Sequence, residues 1–454
     1  MKKWIGAMFL MTVMQTAFAQ DFKKVETSLL LNNFEAAKTE FEKAVAKKAS
    51  LETTAEGYYW KSKIYAGLSK DPAAKYPDAA EKLYASLQEY IKADPEFTLA
   101  VKSGQEPFFE VYIKSFKDGV AAFGEKKWKE AAANFDRGVV LSDIIFSKGW
   151  SSNKQPFDTT TLMYAGYANQ NAGNDELTIK YYTRMIDANM KTPELIDMYK
   201  FVLIKAAETK NKALFDQYYT VSEKSYPEEK WFEFRADYID KNLTAEEKVA
   251  AYEAQIAANT INETECQMYG DMFMAARNVE GIADDKANYF LDKAADAYIR
   301  AYKLNTQNFA AAFNVGISYY NQYTVLDDQY GNNIRSLQQL NANKPVAPKD
   351  PKKKLAFDAA FKAQQDSIKK LNVALDAPMK AKVDQAIEWI ENAFNIVKDK
   401  SPLTRNEKNV AARSVDFLAT LYAAKRDKNR ANQKLYDELD AKFSKYDLLH
   451  DKYQ

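Results

Sequence analysis

Residues 292–305 read DKAADAYIRAYKLN, and three positions within them decide the fold: Ala294, Tyr298 and Ala301. Spacings of four and three place all three on one face of a helix. Small side chains let a neighbouring helix come close, and the aromatic ring fills the space beside them. The same arrangement returns at Ala37, Phe41 and Ala44, at Ala131, Phe135 and Gly138, and at Ala386, Ile390 and Ala393. Phe34 and Trp128 stand a few residues ahead of two of these sets. A face built this way packs on another helix. A unit that recurs along a chain signals a solenoid, whose task is to hold partners rather than to perform chemistry.

Composition supports an all-α chain. Only 14 Gly and 12 Pro occur in 454 residues, fewer than turn-rich β architectures need. Lys2 and Lys3, an apolar run from Trp4 to Met14, and the small residues Ala17 and Ala19 read as a secretory signal peptide over 1–19, with Gln20 as the first mature residue. That run is too short to span a bilayer, and no later stretch approaches a spanning length. The mature chain is therefore expected to lack a transmembrane segment and to be periplasmic, either soluble or peripherally associated with the envelope. Cys266 is the single cysteine, so no internal disulfide forms and no lipid-anchor cysteine follows the leader. Stability must come from packing. Removing Lys2 and Lys3 leaves 62 basic against 63 acidic residues, a balance that argues against nucleic acid as the main partner.

Helical hairpins can be read along most of the chain. Hairpins one to three occupy 20–141, the first turning at Asn32-Asn33 with Asp21 as its N-cap, the third turning at GEKK, 124–127. An irregular loop is expected over 142–159. Hairpins four to seven and the first helix of the eighth occupy 160–321, with a turn at Gly173-Asn174 and a capping box at Thr244 and Glu247. The eighth hairpin is interrupted by an insertion over 322–381. It holds a polar turn at LDDQYGNN (326–333), a linker at NKPVAPKDPKKK (343–354), and an amphipathic helix with Phe357, Phe361, Ile368 and Leu371. The completing helix starts near Val383, and a last hairpin closes the 382–454 segment.

AAFNVGISYY (311–320) paired with DQAIEWIENAF (384–394) resembles the tetratricopeptide repeat (TPR) family, as do DKAADAYIRAYKLN, NNFEAAKTEFEKAV (32–45) and EKKWKEAAANF (125–135). The resemblance covers roughly half of the mature chain. It implies units of about 34 residues stacked into an α-α superhelix. The proline that usually ends a unit is mostly absent, as KLNTQN and VLSD show, and the stretch 193–259 departs from the pattern. The leader and the Lys/Tyr/Asn-rich composition resemble envelope TPR proteins of the Bacteroidota. By the resemblance, the first helix of each unit lines a concave groove. That places Tyr59 and Lys63, Phe116 and Val120, Met163 and Tyr167, and Phe313, Ile317 and Tyr320 in a groove for a protein or peptide partner. The set is more apolar than the clamp by which some TPR proteins hold carboxylate-ended peptides, so that clamp is not expected.

Little in the chain points to catalysis. His450 is the single histidine and lies four residues from the end. Cys266 opens a helix with no histidine nearby in sequence, and reads as a small buried hydrophobe. No phosphate-cradling loop and no zinc spacing occurs, so no cofactor and no metal is expected. The 61 aromatics (26 Phe, 29 Tyr, 6 Trp) suggest sugar stacking, but helical repeats consume aromatics as spacers. In Tyr58-Tyr59, Tyr181-Tyr182 and Tyr319-Tyr320, neighbours about 100° apart on a helix are not expected to share one core contact. The leading reading is a non-enzymatic exported scaffold for a protein or peptide. The alternative is an envelope glycan-binding protein resembling the SusD-like family, whose members carry the lipid anchor that this chain lacks. N-terminal sequencing of the exported protein should begin at Gln20; retention of Met1 would exclude the leader.

Overall fold

Among the residues that the computed structural model describes, 21–71, 73 and 75–453, the regular structure is entirely helical. The leader expected over 1–19, and Gln20 after it, lie outside the described residues. The chain divides into two compact units, Met1–Pro227 and Glu228–Gln454. This division falls inside the 160–321 segment that the sequence reads as continuous. No helix among the described residues is long and apolar enough to cross a membrane.

The first unit holds α1 (Lys23–Leu30) with α2 (Phe34–Lys47), and α3 (Ala55–Leu68) with α4 (Ala79–Ala93). The short α5 (Thr98–Ser103) follows. Then come α6 (Glu106–Gly124) with α7 (Trp128–Ser147), α8 (Thr159–Ala172) with α9 (Asp175–Asp187), and α10 (Ile196–Glu208) with α11 (Lys212–Ser225). The second unit pairs α12 (Trp231–Asn242) with α13 (Ala245–Ala257), α14 (Glu263–Arg277) with α15 (Asp284–Leu304), α16 (Phe309–Ala342) with α17 (Pro351–Val397), and α18 (Arg405–Lys428) with α19 (Gln433–Tyr453). Each unit is a TPR-like stack of antiparallel hairpins.

Local chemistry sets the ends of these helices. The Asn33 side chain accepts from the Ala36 N–H at 3.0 Å, and Asn32 supplies the left-handed residue of the turn, with φ 55°. Gly173 takes φ 80° at the end of α8. The expected capping box is present: Thr244 and Glu247 exchange hydrogen bonds at 2.8 and 3.3 Å. Asp21 is not a cap, because α1 starts after Phe22 without a side-chain cap; Asp21 instead lies 3.6 Å from Lys48.

The small–aromatic–small faces are core. Ala131, Phe135, Ala294, Tyr298, Ala301, Ala386, Ile390 and Ala393 are all at most 1 % exposed. What they pack against is a glycine on the partner helix. A methyl group added at Gly119 would stand 2.8 Å from the Phe135 ring, at Gly166 2.4 Å from Tyr182, at Gly270 2.5 Å from Tyr298, and at Gly316 2.4 Å from Ile390. In four hairpins, then, the first helix presents a glycine under a large side chain of the second. Adjacent tyrosines in the second helix divide between two interfaces. Tyr182 enters its own hairpin while Tyr181 reaches back to α7, donating to Asp136 at 3.0 Å, so both are buried. The 100° between them sends each ring to a different neighbour.

Two segment readings need correction. The irregular loop begins later than Ser142: α7 continues to Ser147 because Leu141, Ser142 and Ile145 still face inward. Beyond it, Trp150 seats edge-on against Phe108 and Phe97, with ring centroids 5.0 and 5.9 Å away. The segment 322–381 is not a separate insertion. It lengthens both helices of the eighth hairpin: α16 runs straight through LDDQYGNN, and α17 is one 47-residue helix that includes Pro378. Pro378 is tolerated because it sits on an exposed face, where water reaches the Ala374 carbonyl left without a donor. Only 343–350 remains as a connection. The last hairpin closes the chain, with Tyr446 and Tyr453 buried and packed edge-on against Phe394 at 6.0 and 5.6 Å.

Gly124, near the end of the same helix as Gly119, has nothing within 4 Å of an added methyl. Gly119→Ala should cost about 1–3 kcal/mol by overpacking. Gly124→Ala should be neutral or gain up to about 1 kcal/mol from helix propensity. Urea melts of the two variants check this; equal responses would refute the glycine–ring contact.

Candidate partner-binding surfaces

The residues expected to line a groove fall into three groups. Tyr59 and Lys63 on α3 serve the fold. The Tyr59 hydroxyl donates to the Gly104 carbonyl at 2.9 Å, and the Lys63 ammonium donates to the Ser103 carbonyl while lying 3.4 Å from Glu106. Together they satisfy the carbonyls that end α5. Tyr59 is fully buried and offers no surface.

Phe116, Phe313, Ile317 and Tyr320 pack from one first helix towards the next. Phe116 meets Tyr164 of α8 edge-on at 6.0 Å. Phe313 and Tyr320 both meet Phe417 of α18, at 6.1 and 4.9 Å, and the Arg413 guanidinium covers Phe313 at 4.8 Å. Phe313 is 2 % exposed, and Ile317 packs half-buried against the same core. Tyr167 is half-buried and donates to the Glu194 carbonyl at 3.2 Å. Val120, 42 % exposed, and the half-buried Met163 remain open. The transferred face therefore proves to be largely the contact between successive first helices. The apolar stripe of Phe357, Phe361 and Ile368 does not cover any of these residues. Phe361 is buried and Phe357 and Ile368 are half-buried within the long hairpin, with the Lys344 ammonium of the connection 4.7 Å from the Phe361 ring.

The candidate chemical groups are spent as well. Cys266 is buried beside Ala301 and Ala311, and burial pushes its thiol up to about 11, away from the nucleophilic thiolate. His450 is exposed, with Nδ1 2.6 Å from Asp416 Oδ1, and that hydrogen bond raises its pKa. No group of three or more metal-ligating side chains comes together among the described residues.

A cleft that the sequence did not disclose lies between α4, α6 and α7. Its volume is about 440 Å³, and Leu83, Tyr84, Ile113, Lys117 and Arg137 contribute to its walls. The Arg137 guanidinium stacks 4.0 Å from the centroid of Tyr84. Its Nε is buried and has no hydrogen-bond partner. The neighbouring cations Lys70 and Lys114 are neutralised by Glu110 and Asp118 at 2.5 and 3.0 Å, whereas Lys117 and Arg137 have no carboxylate partner among the described residues. An apolar floor beside an unsatisfied guanidinium suits an aliphatic side chain next to a carboxylate. The one sequence signal was a charged residue, Arg137, set directly before Gly138 in a packing triplet.

No family model matches the chain, and no curated protein matches it. Among solved structures, the chain is similar to the P58(IPK) TPR domain at 12 % identity, over 96 % of this chain and 99 % of that one, with a TM-score of 0.18. It is also similar to the APC/C hetero-tetramer Cut9–Hcn1 at 9 % identity, over 96 % and 95 %, with a TM-score of 0.19. At those scores the fold assignment rests on this chain's own hairpins.

Cys266 should react with a thiol reagent at pH 8 at least about 100-fold more slowly in the folded protein than in denaturant, because both thiolate fraction and access are reduced. Rapid labelling of the native protein would restore it as a candidate nucleophile.

Proposed function

We propose that this chain is a non-catalytic exported scaffold that holds a protein or peptide partner, and that the cleft between α4, α6 and α7 is a contact for a carboxylate-bearing segment of that partner. The observation that carries this reading is Arg137, which lines the cleft beside the Tyr84 ring and has no carboxylate partner among the described residues. A guanidinium free of a carboxylate offers an incoming carboxylate a charge-assisted pair. The cleft is of the size that takes one or a few side chains, in the usual range of about 300–1,000 Å³. Val120, on the same helix, and Met163 extend the accessible apolar surface. The leader at 1–19 supports export to the periplasm. The glycan-binding alternative finds less support, since Tyr289, at 44 %, is the only exposed aromatic among the described residues. Sugar stacking needs open rings, and these rings are used in packing.

A photo-crosslinking side chain at Ile113, on the rim and 41 % exposed, should give a discrete adduct in the native envelope. The same group at Leu448, 80 % exposed in the other unit, should not give that adduct. Arg137→Gln should abolish the Ile113 adduct without changing the melting profile. Identical adducts at both positions, or an adduct indifferent to Arg137→Gln, would exclude the cleft as the partner site.

A further inference from the structure

The outer part of the α16–α17 hairpin has a composition unlike the rest of the chain. Between 344 and 370 stand eight lysines, three aspartates, no glutamate and no arginine, a surplus of five positive charges in a chain whose overall formal charge is +1. Lys344 is engaged, 3.5 Å from Asp358 and over the Phe361 ring. The other seven lysines are exposed and form no ion pair among the described residues. Two apolar side chains stand among them: Val346 is 97 % exposed and Leu355 75 %.

The fold holds this patch away from the hairpin stack. The base of the long hairpin ends where Tyr330 and Asp376 share a cleft with Lys428 and Asn429 at the end of α18. From Tyr330, α16 continues for about 18 Å more at 1.5 Å per residue. No residue of α16 beyond Gln322 is fully buried. The two helices stay paired through Asn333 to Asn372 at 2.8 Å and Gln365 to Asn341 at 2.6 Å. At the tip, Pro345, Pro348 and Pro351 stiffen the connection and keep Val346 turned outward.

Helix stability does not account for the lysines. Lys352, Lys353 and Lys354 occupy the first turn of α17, where the single carboxylate at the helix end is the N-cap Asp350, accepting from the Lys353 N–H at 3.0 Å. The positive end of the helix dipole disfavours cations there, and carboxylates would stabilise it. A charge placed against local stability points to an external counterpart.

We propose that this tip docks on an anionic lipid surface. Clustered lysines supply the electrostatic attraction, and Val346 and Leu355 supply the apolar contact that a headgroup layer accepts. The patch is less suited to nucleic acid. It has no arginine for bidentate phosphate or base contacts, and its two rings, the half-buried Phe357 and the buried Phe361, lie under Lys344 and offer no open stacking platform. The inference is independent of the Arg137 cleft, which lies in the other unit.

Vesicle flotation of the full chain tests it. The protein should float with phosphatidylcholine vesicles containing phosphatidylglycerol, not with phosphatidylcholine alone, and should be released at 0.5 M salt. A variant carrying Lys349→Gln, Lys352→Gln, Lys353→Gln and Lys354→Gln should bind on the order of a thousand-fold more weakly, given the contribution of each lysine near an anionic surface. Circular dichroism should be unchanged, because all four side chains are exposed. Val346→Ser with Leu355→Ser should weaken binding while preserving its salt dependence. Both proteins carry residues 1–19, so the leader cannot explain a difference between them. Equal flotation of the fourfold variant and the parent would overturn the proposal. So would equal binding to neutral vesicles, or release of the protein from anionic vesicles by polyglutamate at equal charge, which would assign the tip to an acidic polypeptide.

Discussion

The contact on which the structure depends is a large side chain set over a glycine of the facing helix. Phe135 over Gly119, Tyr182 over Gly166, Tyr298 over Gly270 and Ile390 over Gly316 repeat it in four hairpins. Without a Cβ at the glycine, the two backbones approach until the ring fills the gap, which fixes both the distance and the register of the pair. Small residues on either side of Phe135, Tyr298 and Ile390 keep the rest of those faces equally close. An array without disulfides can rely on this because the same small contact is made over and over, each hairpin stabilised by itself and by its neighbours.

A second, polar contact ties successive hairpins together. Tyrosine hydroxyls of one second helix donate to carboxylates of another: Tyr181 to Asp136 at 3.0 Å, Tyr218 to Asp187 at 3.1 Å, Tyr252 to Asp296 at 2.8 Å, and Tyr446 to Glu391 at 2.7 Å. Burial pushes the Asp136 carboxyl upward, the ordinary consequence of desolvating an acid. Asp136 also accepts from the Asn169 side chain at 2.7 Å, and the hydrogen bonds from Asn169 and Tyr181 oppose that upward push. Buried carboxylates in this helical stack are thus structural, whereas Arg137 lines an open cleft without a carboxylate partner among the described residues.

The long hairpin shows how an array acquires a feature without breaking its pattern. Extending α16 and α17 together keeps Gly316 and Ile390 in register at the base, while residues farther out are released from core packing. There the sequence is free to concentrate lysine. Separate placement of the Arg137 cleft and the lysine-rich tip, one in each unit, lets two surfaces be built without disturbing a shared core.

Much of this was legible in the residues. Ala294, Tyr298 and Ala301 report a helix face through periodicity alone, and Asn32, Gly173 and Thr244 mark helix ends through local backbone chemistry. Such signals involve residues within one or two turns of each other, so no knowledge of neighbours is needed. What periodicity cannot say is which neighbour a face meets. Phe313, Tyr320 and Phe116 lie on one helical side in the sequence, but only the packed structure commits them to Phe417 and Tyr164. The polar run 326–333 suggested a break, yet pairing of two long helices stabilised it against weak local preference. The Arg137 cleft depends on three helices converging and on two nearby lysines being neutralised while a third is not. The sequence by itself thus determined the helices and their inward faces, because those follow from contacts a few residues apart. Tertiary structure alone decided which faces were consumed and which polar atoms were left unpaired, because both depend on residues far apart in the chain.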